Sequence, residues 1–541
     1  MQVDVGGDKT PVLVVGGSLV GLSTALFLAW HGVPTVLCER HTQSSPHPRA
    51  IGYTQRTLEL LAAVGLGGRI PQVPPDFQLR RTRVESLAGK WFEETPWTPP
   101  VPQTSRRECS PHTGAALAQD RLEPILRDKA KELGADLRFS TELVSFTQDA
   151  DGVTAMLRQR DGSLSPLRAA YLVAADGNQS PVRTALHIGR SGRGHLRTMR
   201  SVLFRAPLEE YLRSGISQFA ISQPDFEGFL TTYGDGRWAL MFSAGEEPEP
   251  ETLRAMIYKA IGRSDLPLEL IATGCWELCA LIAERFSSGR VFLAGDAAHT
   301  LPPSRGGYGA NTGIEDAHNL AWKLAAVLSG TAMPSLLDTY DAERRPIAWL
   351  RHQQIFARPD YKPAADNRAG EPADAIAVDV IDDDAMELGQ LYRSSAVIGA
   401  SAALPPALRP EQWAGQPGTR APHAWVLHAG RRLSTLDLFQ KSWVLLAADA
   451  RWGRWAAQTA ERLGIALVCR CIGVDITPCG PDALAPAFGL GKTGAALIRP
   501  DGYIAWRSCD LPEAAPHVLD SVLTSILGKS AAPPLASRPA P

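Results

Sequence analysis

The apolar positions of the chain fall into runs of changing period. PVLVVGG (11–17) is a continuous hydrophobic run of strand length, LVGLSTALFLAWHG is a largely apolar run of helix length closed by Gly32, and PTVLCER (34–40) is a second short run. Unbroken rather than alternating hydrophobicity marks strands covered on both faces, so the order predicts a parallel βαβ unit. A helix is predicted over 54–64, ending at Gly65, and another over 115–134. Stretches at 136–147, 152–159 and 167–174 read as strands, the last entering the turn of LVAADGNQSPVR (172–183). From about 200 to 285 the period becomes two, as in SQFAIS (217–222), GFLTTY (228–233) and WALMFS (238–243), with Gly234-Asp235-Gly236 as a hairpin turn. An antiparallel sheet is predicted there. RVFLAGDAAHTLPPSRGGYGAN (290–311) then returns to a buried strand and a glycine-rich turn, followed by a helix from Gly313 to Leu328, so the parallel α/β unit is discontinuous.

The remaining segments extend this layout. The Pro-rich stretch 93–103, with Trp91 and Trp97, reads as a loop crossing between domains, and the Pro-, Ala- and Asp-rich stretch 360–390 reads as linker or surface wrap. From about 422 the order is strand (AWVLH), strand (SWVLLAA), helix (452–463), strand (IALVCRC) and hairpin (AALIRPDGYIAWR), a mixed α/β unit. At 541 residues, two to four domains of about 100–200 residues are expected.

Composition narrows the partners. Lys plus Arg (55) nearly balances Asp plus Glu (57), which leaves no strong field to hold nucleic acid or an anionic membrane. Thr10 to Cys38 carries no charged residue, yet Gly16, Gly17, Gly21, Gly32 and Pro34 divide it, so it reads as a buried βαβ unit rather than a membrane span. Eight scattered cysteines, without CxxC or zinc spacing, predict reduced thiols, a cytoplasmic setting and no metal.

Two segments carry candidate chemistry. In Gly16-Gly17-Ser18-Leu19-Val20-Gly21 the first glycine permits a tight turn and the last lets helix and strand pack closely, so that a helix N-terminus faces a pyrophosphate. Ser18 replaces the usual middle glycine, and its hydroxyl could donate to an anion. Glu39 ends the second strand, where a carboxylate accepts hydrogen bonds from ribose hydroxyls. Gly295-Asp296 follows a strand, and its carboxylate suits a ribityl or ribose hydroxyl, the alternative being a helix cap. Pro302, Pro303, Gly306, Gly307, Gly309 and Asn311 then place unhindered backbone N–H groups at a helix start. Such a start stabilises negative charge by about 0.3–1 kcal/mol when exposed and up to about 2 when partly buried.

Together these motifs resemble the class A flavoprotein aromatic hydroxylases, through the glycine turn, Ala175-Asp176-Gly177 with Ser180 and Arg183, and Arg290 through Asn319-Leu320-Ala321-Trp322-Lys323-Leu324. The resemblance implies FAD, with the loop after Asp296 near the reduced flavin ring through Pro302, Pro303, Gly306, Gly309, Ala310 and Asn311; the backbone of Pro302 and Gly309 is the part expected nearest the chemistry. It implies that Asp176-Gly177 serves flavin and NADPH together, the alternative being an ordinary turn. In HPRAIGYTQRTLELL (47–61) it places Arg49 beside the flavin, with Arg56 opening the next helix, and in LAQDRLEPIL (117–126) it brings Gln119 to the cofactor. Arg40, next to Glu39, belongs to the same expected set. The loop PPSRGGYGAN departs from the family form by carrying Arg305 and one extra residue. YRSSAV (392–397) and the C-terminal unit are similar to phenol and polyketide hydroxylases with a thioredoxin-like domain, which without CxxC cannot exchange dithiols. Its expected role is structural or dimer-supporting.

The implied organisation is a Rossmann-like FAD-binding domain in three parts (1–80, 105–185, 286–358), a substrate-binding β-sheet domain (186–285) with a crossing segment (81–104), a linker (359–400) and a thioredoxin-like domain (401–541). Period two puts Trp238, Leu240 and Phe242 on one face of the sheet and Met241 and Ser243 on the other; Tyr233, Phe242 and Pro302 are the pocket candidates. His195 and His299 lack a visible carboxylate partner and read as solvated or structural. The implied activity is a monooxygenase, monomer or homodimer, using FAD, NADPH or NADH, and O2 to hydroxylate a phenolic or polycyclic ring through a flavin C4a-hydroperoxide. The alternatives are a flavin oxidase or dehydrogenase, and a non-catalytic flavoprotein whose C-terminal unit recruits a partner. Polyketide quinones, nitro- or halophenols and simple phenols all remain open as substrates.

Overall fold

The computed structural model describes residues 8–75, 77, 79–96, 108–213, 215–243, 248–303, 307–358, 378–480 and 484–529. Arg305, Gly306 and Trp97 lie outside the described residues, as do all of 97–104 in the crossing segment and all of 359–377 in the expected linker.

Among the described residues, a first sheet runs Ser287–Ser288, Val291–Leu293, Leu164–Ala174, Asp8–Val15, Thr35–Glu39, Asp136–Phe139. The strands from Val291–Leu293 to Asp136–Phe139 are parallel, with Val12 opposite both Tyr171 and Thr35. Val12, Leu13, Val14, Leu172 and Val173 have no exposed surface, which is why these runs are continuous rather than alternating. Helix Leu19–Trp30 covers one face and packs against helices Gln119–Glu132 and Tyr308–Leu328. The latter begins five residues before Gly313, at Tyr308, with Gly307 in the left-handed region (φ 60°) as its N-cap.

The second sheet runs His299–Thr300, Glu269–Ala283, Arg190–Arg205, Arg237–Phe242, Phe226–Thr232, Ile216–Gln223, Arg80–Val84, Trp91–Pro96. It is antiparallel except where Ile216–Gln223 meets Arg80–Val84. The long strands Arg190–Arg205 and Glu269–Ala283 are beams joining the halves of the molecule, and register shifts at Gly192/Gly194 and His195/Arg197 let them bend. Helix Pro250–Ile261 packs on one face and buries Trp238, Leu240 and Phe242 with Leu253 and Ile257.

A third sheet, Leu467–Cys471, Trp443–Ala447, Ala495–Ile498, Ile504–Ser508, carries helices Arg451–Leu463 and Ala515–Ile526. It docks on helix Tyr308–Leu328, where Trp322 meets Trp443 edge-on at 5.9 Å, and through buried charge: Arg499 grips Glu343, and the Trp322 indole donates to Asp501 at 3.1 Å. The described part of the stretch expected to be a linker is packed rather than loose. Helix Asp383–Leu388 buries Met386, and Tyr392 stacks on Tyr503 at 4.1 Å. The Asp run there serves as helix cap and ion-pair partner, since Asp382 caps the helix and Asp383 holds Arg358 at 2.7 Å.

Six histidines are held neutral by burial: His31, His352 and His423 each pushed down to about 4, His318 well below 6.5, and His47 and His112 lowered. Their folded pKa values lie below the unfolded one, so above pH 6.5 they cost nothing, and as pH falls from 6.5 towards 4 the unfolded chain binds protons the folded one refuses. Stability is therefore expected to drop across that window. Thermal unfolding at about pH 7.5 and about pH 5 should differ by several degrees, and equal midpoints would contradict it.

Candidate functional site

A cavity of about 2180 Å³ lies between the two large sheets. A single small-molecule pocket takes roughly 300–1,000 Å³, so this one has room for a dinucleotide and a second molecule side by side.

One end is built by the glycine turn. Gly16 has φ +104°, and a Cβ on it would strike the Ala175 carbonyl; a Cβ on Gly21 would strike the Gly16 carbonyl. The strand, the turn and the segment at Asp176 thus approach as closely as backbone allows, leaving Gly16, Ser18, Leu19 and Val20 on the cavity wall and Gly21 behind it. Gly295 and Gly313 both give way to the Val20 side chain in the same manner, so Gly295 is also a packing residue. Glu39 reaches back to accept from the Gly17 N–H at 2.6 Å, and its other oxygen accepts from the His41 N–H at 2.8 Å. That other oxygen is also met by the His41 Nδ1 at 2.6 Å, and the oxygen that takes Gly17 retains a lone pair for a hydroxyl in the cavity. Arg40 lines the same end.

Ser18 is used differently from expectation. Its hydroxyl donates to Glu123 at 2.7 Å and accepts from the Gln119 amide at 3.0 Å, so it fastens the turn to helix Gln119–Glu132 rather than standing free for an anion. Gln119 lines the cavity, and its Oε1 accepts from the Arg49 and Ala50 N–H groups at 3.3 and 3.2 Å. Arg49 is exposed to the cavity.

Asp176 and Asp296 face the cavity from two other segments. The Asp176 Oδ2 accepts from the Val182 N–H at 3.2 Å, but its Oδ1 has no partner among the described residues. Burial pushes both carboxyls up, opposed at Asp176 by hydrogen bonds with Ser180 and Val182 and at Asp296 by His299 and Arg49. Asp296 is walled in by the fold yet open on its cavity side. Arg183 ties the two segments, donating to the carbonyls of Ala297 (2.9 Å) and Asn178 (2.8 Å). An orphaned carboxylate oxygen, a second carboxylate open to the cavity and glycines with no room for Cβ fit an FAD ribityl chain and pyrophosphate.

Pro302, Pro303, Gly309 and Ala310 also line the cavity, with Gly309 and Ala310 in the first turn of helix Tyr308–Leu328. Asn311 does not. Its side chain is fully buried, accepting from the Thr54 N–H (3.1 Å) and Thr57 hydroxyl (2.6 Å) and donating to the Gly307 carbonyl (2.9 Å), so it pins the loop 52–57 to the helix start.

The other end of the cavity is the exposed face of the antiparallel sheet. Phe242 is corrected: it is 3% exposed in the core under helix Pro250–Ile261, and Met241 on the opposite face lines the cavity with Phe229, Met199 and Trp276. Tyr233 lines the cavity, and its hydroxyl donates to the Pro48 carbonyl at 2.9 Å. Burial pushes the Tyr233 phenol well up, so it stays protonated. His195 is exposed, near Thr198 at 3.2 Å. His299 has a carboxylate partner that sequence spacing hid, Asp316 at 2.7 Å, itself held by Arg344 and pushed down to about 2 against the effect of burial. This pair is fully buried away from the cavity and is structural. His47, Ser201, Trp276 and Met199 were not singled out from sequence; only the position of His47, two residues before Arg49, hinted at any of them.

Among the described residues no cluster of His, Cys, Asp or Glu could hold a metal ion, and no helix is long and apolar enough to cross a membrane.

Comparison with known proteins fits this geometry. Residues 9–354 match the FAD binding domain family, and residues 414–530 match the C-terminal domain of aromatic-ring hydroxylases. The chain is 41% identical to tetracenomycin B2 monooxygenase-dioxygenase of Streptomyces olivaceus, covering 96% of this chain and 99% of that one. It is 40% identical to 4-methyl-5-nitrocatechol 5-monooxygenase of a Burkholderia species, covering 96% and 98%. The crystal structure of aklavinone-11 hydroxylase in ternary complex with FAD and aklavinone superposes with a TM-score of 0.85 at 37% identity, covering 97% of this chain and all of that one.

Proposed function

The chain belongs to the FAD-binding aromatic-ring hydroxylases, and from that premise we propose that its substrate is a polycyclic phenol lying on the Met199–Met241–Trp276 wall. It is an FAD-dependent monooxygenase that consumes a reduced nicotinamide and O2 and places one oxygen atom on an aromatic ring. The balance is ring C–H, O2, NAD(P)H and a proton in; ring C–OH, water and NAD(P)+ out. The observation that carries the polycyclic reading is the size of the cavity beyond the glycine turn, walled by soft and aromatic side chains that suit a flat, extended ring system. The bound aklavinone of the related hydroxylase supports it.

When bound, FAD supplies the redox chemistry and the activation of O2. In this reading Glu39, Arg40 and the turn Gly16–Val20 bind its adenosine and pyrophosphate portion, Asp296 and Asp176 its ribityl hydroxyls, and Arg49 and Gln119 flank the ring. The first turn of helix Tyr308–Leu328, with Gly309 and Ala310 at the cavity and Pro302 and Pro303 before it, stabilises negative charge on the reduced ring. The sheet wall orients the substrate and keeps water out, which matters because each 1.36 kcal/mol in barrier between hydroxylation and unproductive oxidation changes their ratio about tenfold. Tyr233, protonated and donating to Pro48, orients the loop rather than accepting the substrate's proton. The proposed nucleotide donor is NADPH rather than NADH, on resemblance. The proposed setting is the cytoplasm, which eight free thiols support, with the protein a monomer or homodimer.

The test is NADPH oxidation with product mass across three classes: a tetracyclic polyketide phenol, a methylnitrocatechol and an unsubstituted phenol. The polycyclic phenol is expected to give a product one oxygen heavier, matched to NADPH consumed, with kcat/KM at least about tenfold above the others. A preference for the nitrocatechol would overturn the polycyclic reading.

A further inference from the structure

One short loop, His47–Ala50, crosses between the halves of the cavity, and its residues are tied to three different parts of the fold. His47 is 8% exposed, with Nε2 2.6 Å from the Ser201 hydroxyl of the long strand Arg190–Arg205. Pro48 accepts from the Tyr233 hydroxyl. Arg49 and Ala50 donate their N–H groups to Gln119, which donates in turn to Ser18 and Glu123 at the glycine turn. A continuous run of polar contacts therefore leads from the substrate sheet to the cofactor end.

The seat of His47 is shaped for it. Ser201 pairs across the sheet with Gly274 on one side and Met241 on the other, so all three share the face that looks into the cavity. A Cβ on Gly274 would stand 3.0 Å from the Ser201 hydroxyl oxygen and 3.3 Å from His47 Cδ2, so this position leaves space for the imidazole. Trp276 meets the imidazole edge-on at 6.1 Å and pairs with Met199. Burial keeps the imidazole neutral, able to donate at one nitrogen and accept at the other.

We propose that His47 is a positioning residue whose bond to Ser201 sets Arg49 towards the cofactor half of the cavity when an aromatic ring occupies the Met199–Met241–Trp276 wall. This rests on the reading above that the wall takes an aromatic ring. A ring there covers the edge of His47 that still faces the cavity, and the lower local dielectric strengthens its bond to Ser201. The ordered loop then holds Arg49, whose side chain has no hydrogen-bond partner among the described residues and faces the same cavity as Asp296.

The experiment compares Ser201→Ala, Ser201→Thr, His47→Gln and the Ser201→Ala/His47→Gln double variant with wild type in the FAD-loaded enzyme. It reads FAD affinity, the change in flavin fluorescence on adding a hydroxyanthraquinone, and hydroxylated product per NADPH. Ser201→Ala is expected to keep FAD affinity within about twofold yet lower both the fluorescence response and the product per NADPH by at least about threefold. Ser201→Thr, which keeps the hydroxyl, should match wild type, and the double variant should be no worse than Ser201→Ala alone. A wild-type fluorescence response in Ser201→Ala, or effects of the two substitutions that simply add, would overturn the proposal. Gly274→Ala, which crowds the pair without removing either partner, should reproduce the Ser201→Ala loss if the pair matters and leave wild-type behaviour if it does not. Should wild type accept nitrocatechols alone, the polycyclic reading falls, while the same comparison run with a nitrocatechol still decides the role of His47.

Discussion

Replacing Glu343 by Ala is expected to destabilise the protein by about 3–5 kcal/mol, the effect of removing one side of a buried ion pair. Glu343 has no exposed side-chain surface, and its carboxylate takes Arg499 through two bonds of 2.5 and 2.9 Å, Lys323 at 2.8 Å and Asn319 at 2.7 Å. Burial alone would raise its pKa, but Arg499 and Lys323 overcome burial and hold the carboxyl far below the usual range. The alanine variant leaves buried Lys323 without its carboxylate and Arg499 with Asp501 alone to answer two buried cations. At roughly 2–4 °C per kcal/mol for a domain of 150–250 residues, the loss is a fall in Tm on the order of 10 °C, read by thermal unfolding. Replacing Glu343, Lys323 and Arg499 by Met together with Asp501, the other carboxylate on Arg499, by Leu should recover much of that fall, since an apolar cluster leaves no charge unpaired. A Glu343→Ala variant melting within about 2 °C of wild type would show that the junction does not carry the load assigned to it. Because Lys323 lies on the helix whose first turn meets the cavity and Arg499 lies in the C-terminal unit, the same variant tests whether that unit braces the site.

The second large effect is on the cofactor. Gly21→Ala places a methyl group against the Gly16 carbonyl, a backbone atom that can move only if strand Asp8–Val15 and helix Leu19–Trp30 separate. Overpacking of this kind costs about 1–3 kcal/mol in stability. The functional loss should be larger, because the helix N-terminus and the turn that face the pyrophosphate shift together. The purified variant is expected to be nearly colourless, with FAD affinity reduced at least about a hundredfold, or roughly 2.8 kcal/mol. Titration with FAD followed by flavin fluorescence measures it. Full retention of FAD would remove the glycine turn from the binding site. Gly32, whose Cβ would meet nothing within 4 Å, is the control for a general effect of glycine replacement, although its φ of +80° carries strain of its own.

What the sequence by itself determined was whatever depends on local backbone geometry. The continuous runs 11–17 and 172–174 could only be covered strands, the close-packed Gly16 and Gly21 could only be a tight turn before a helix, and alternation in WALMFS separated Trp238, Leu240 and Phe242 from Met241. The period could not say which of those faces looks into the cavity. That was decided by helix Pro250–Ile261, which covers the Trp238 face and leaves Met241 to the site, so Phe242 went to the core. Polar partners were equally hidden, because they are set by packing over long separations. Asn311 is spent on Thr54 and Thr57, Ser18 on Glu123, His47 on Ser201, and Glu343 on an arginine 156 positions away. The described part of the supposed linker is packed from Asp383 on for the same reason. Its Asp-rich composition signalled solvent, and only tertiary packing gave Tyr392 a ring to stack on, Tyr503 of the docked C-terminal unit, and a buried arginine to bond, Arg344 of helix Asp338–Ala357. Local periods follow from two dihedral angles per residue, whereas the covered face and the partner of each polar group follow from which distant surface arrives to bury them.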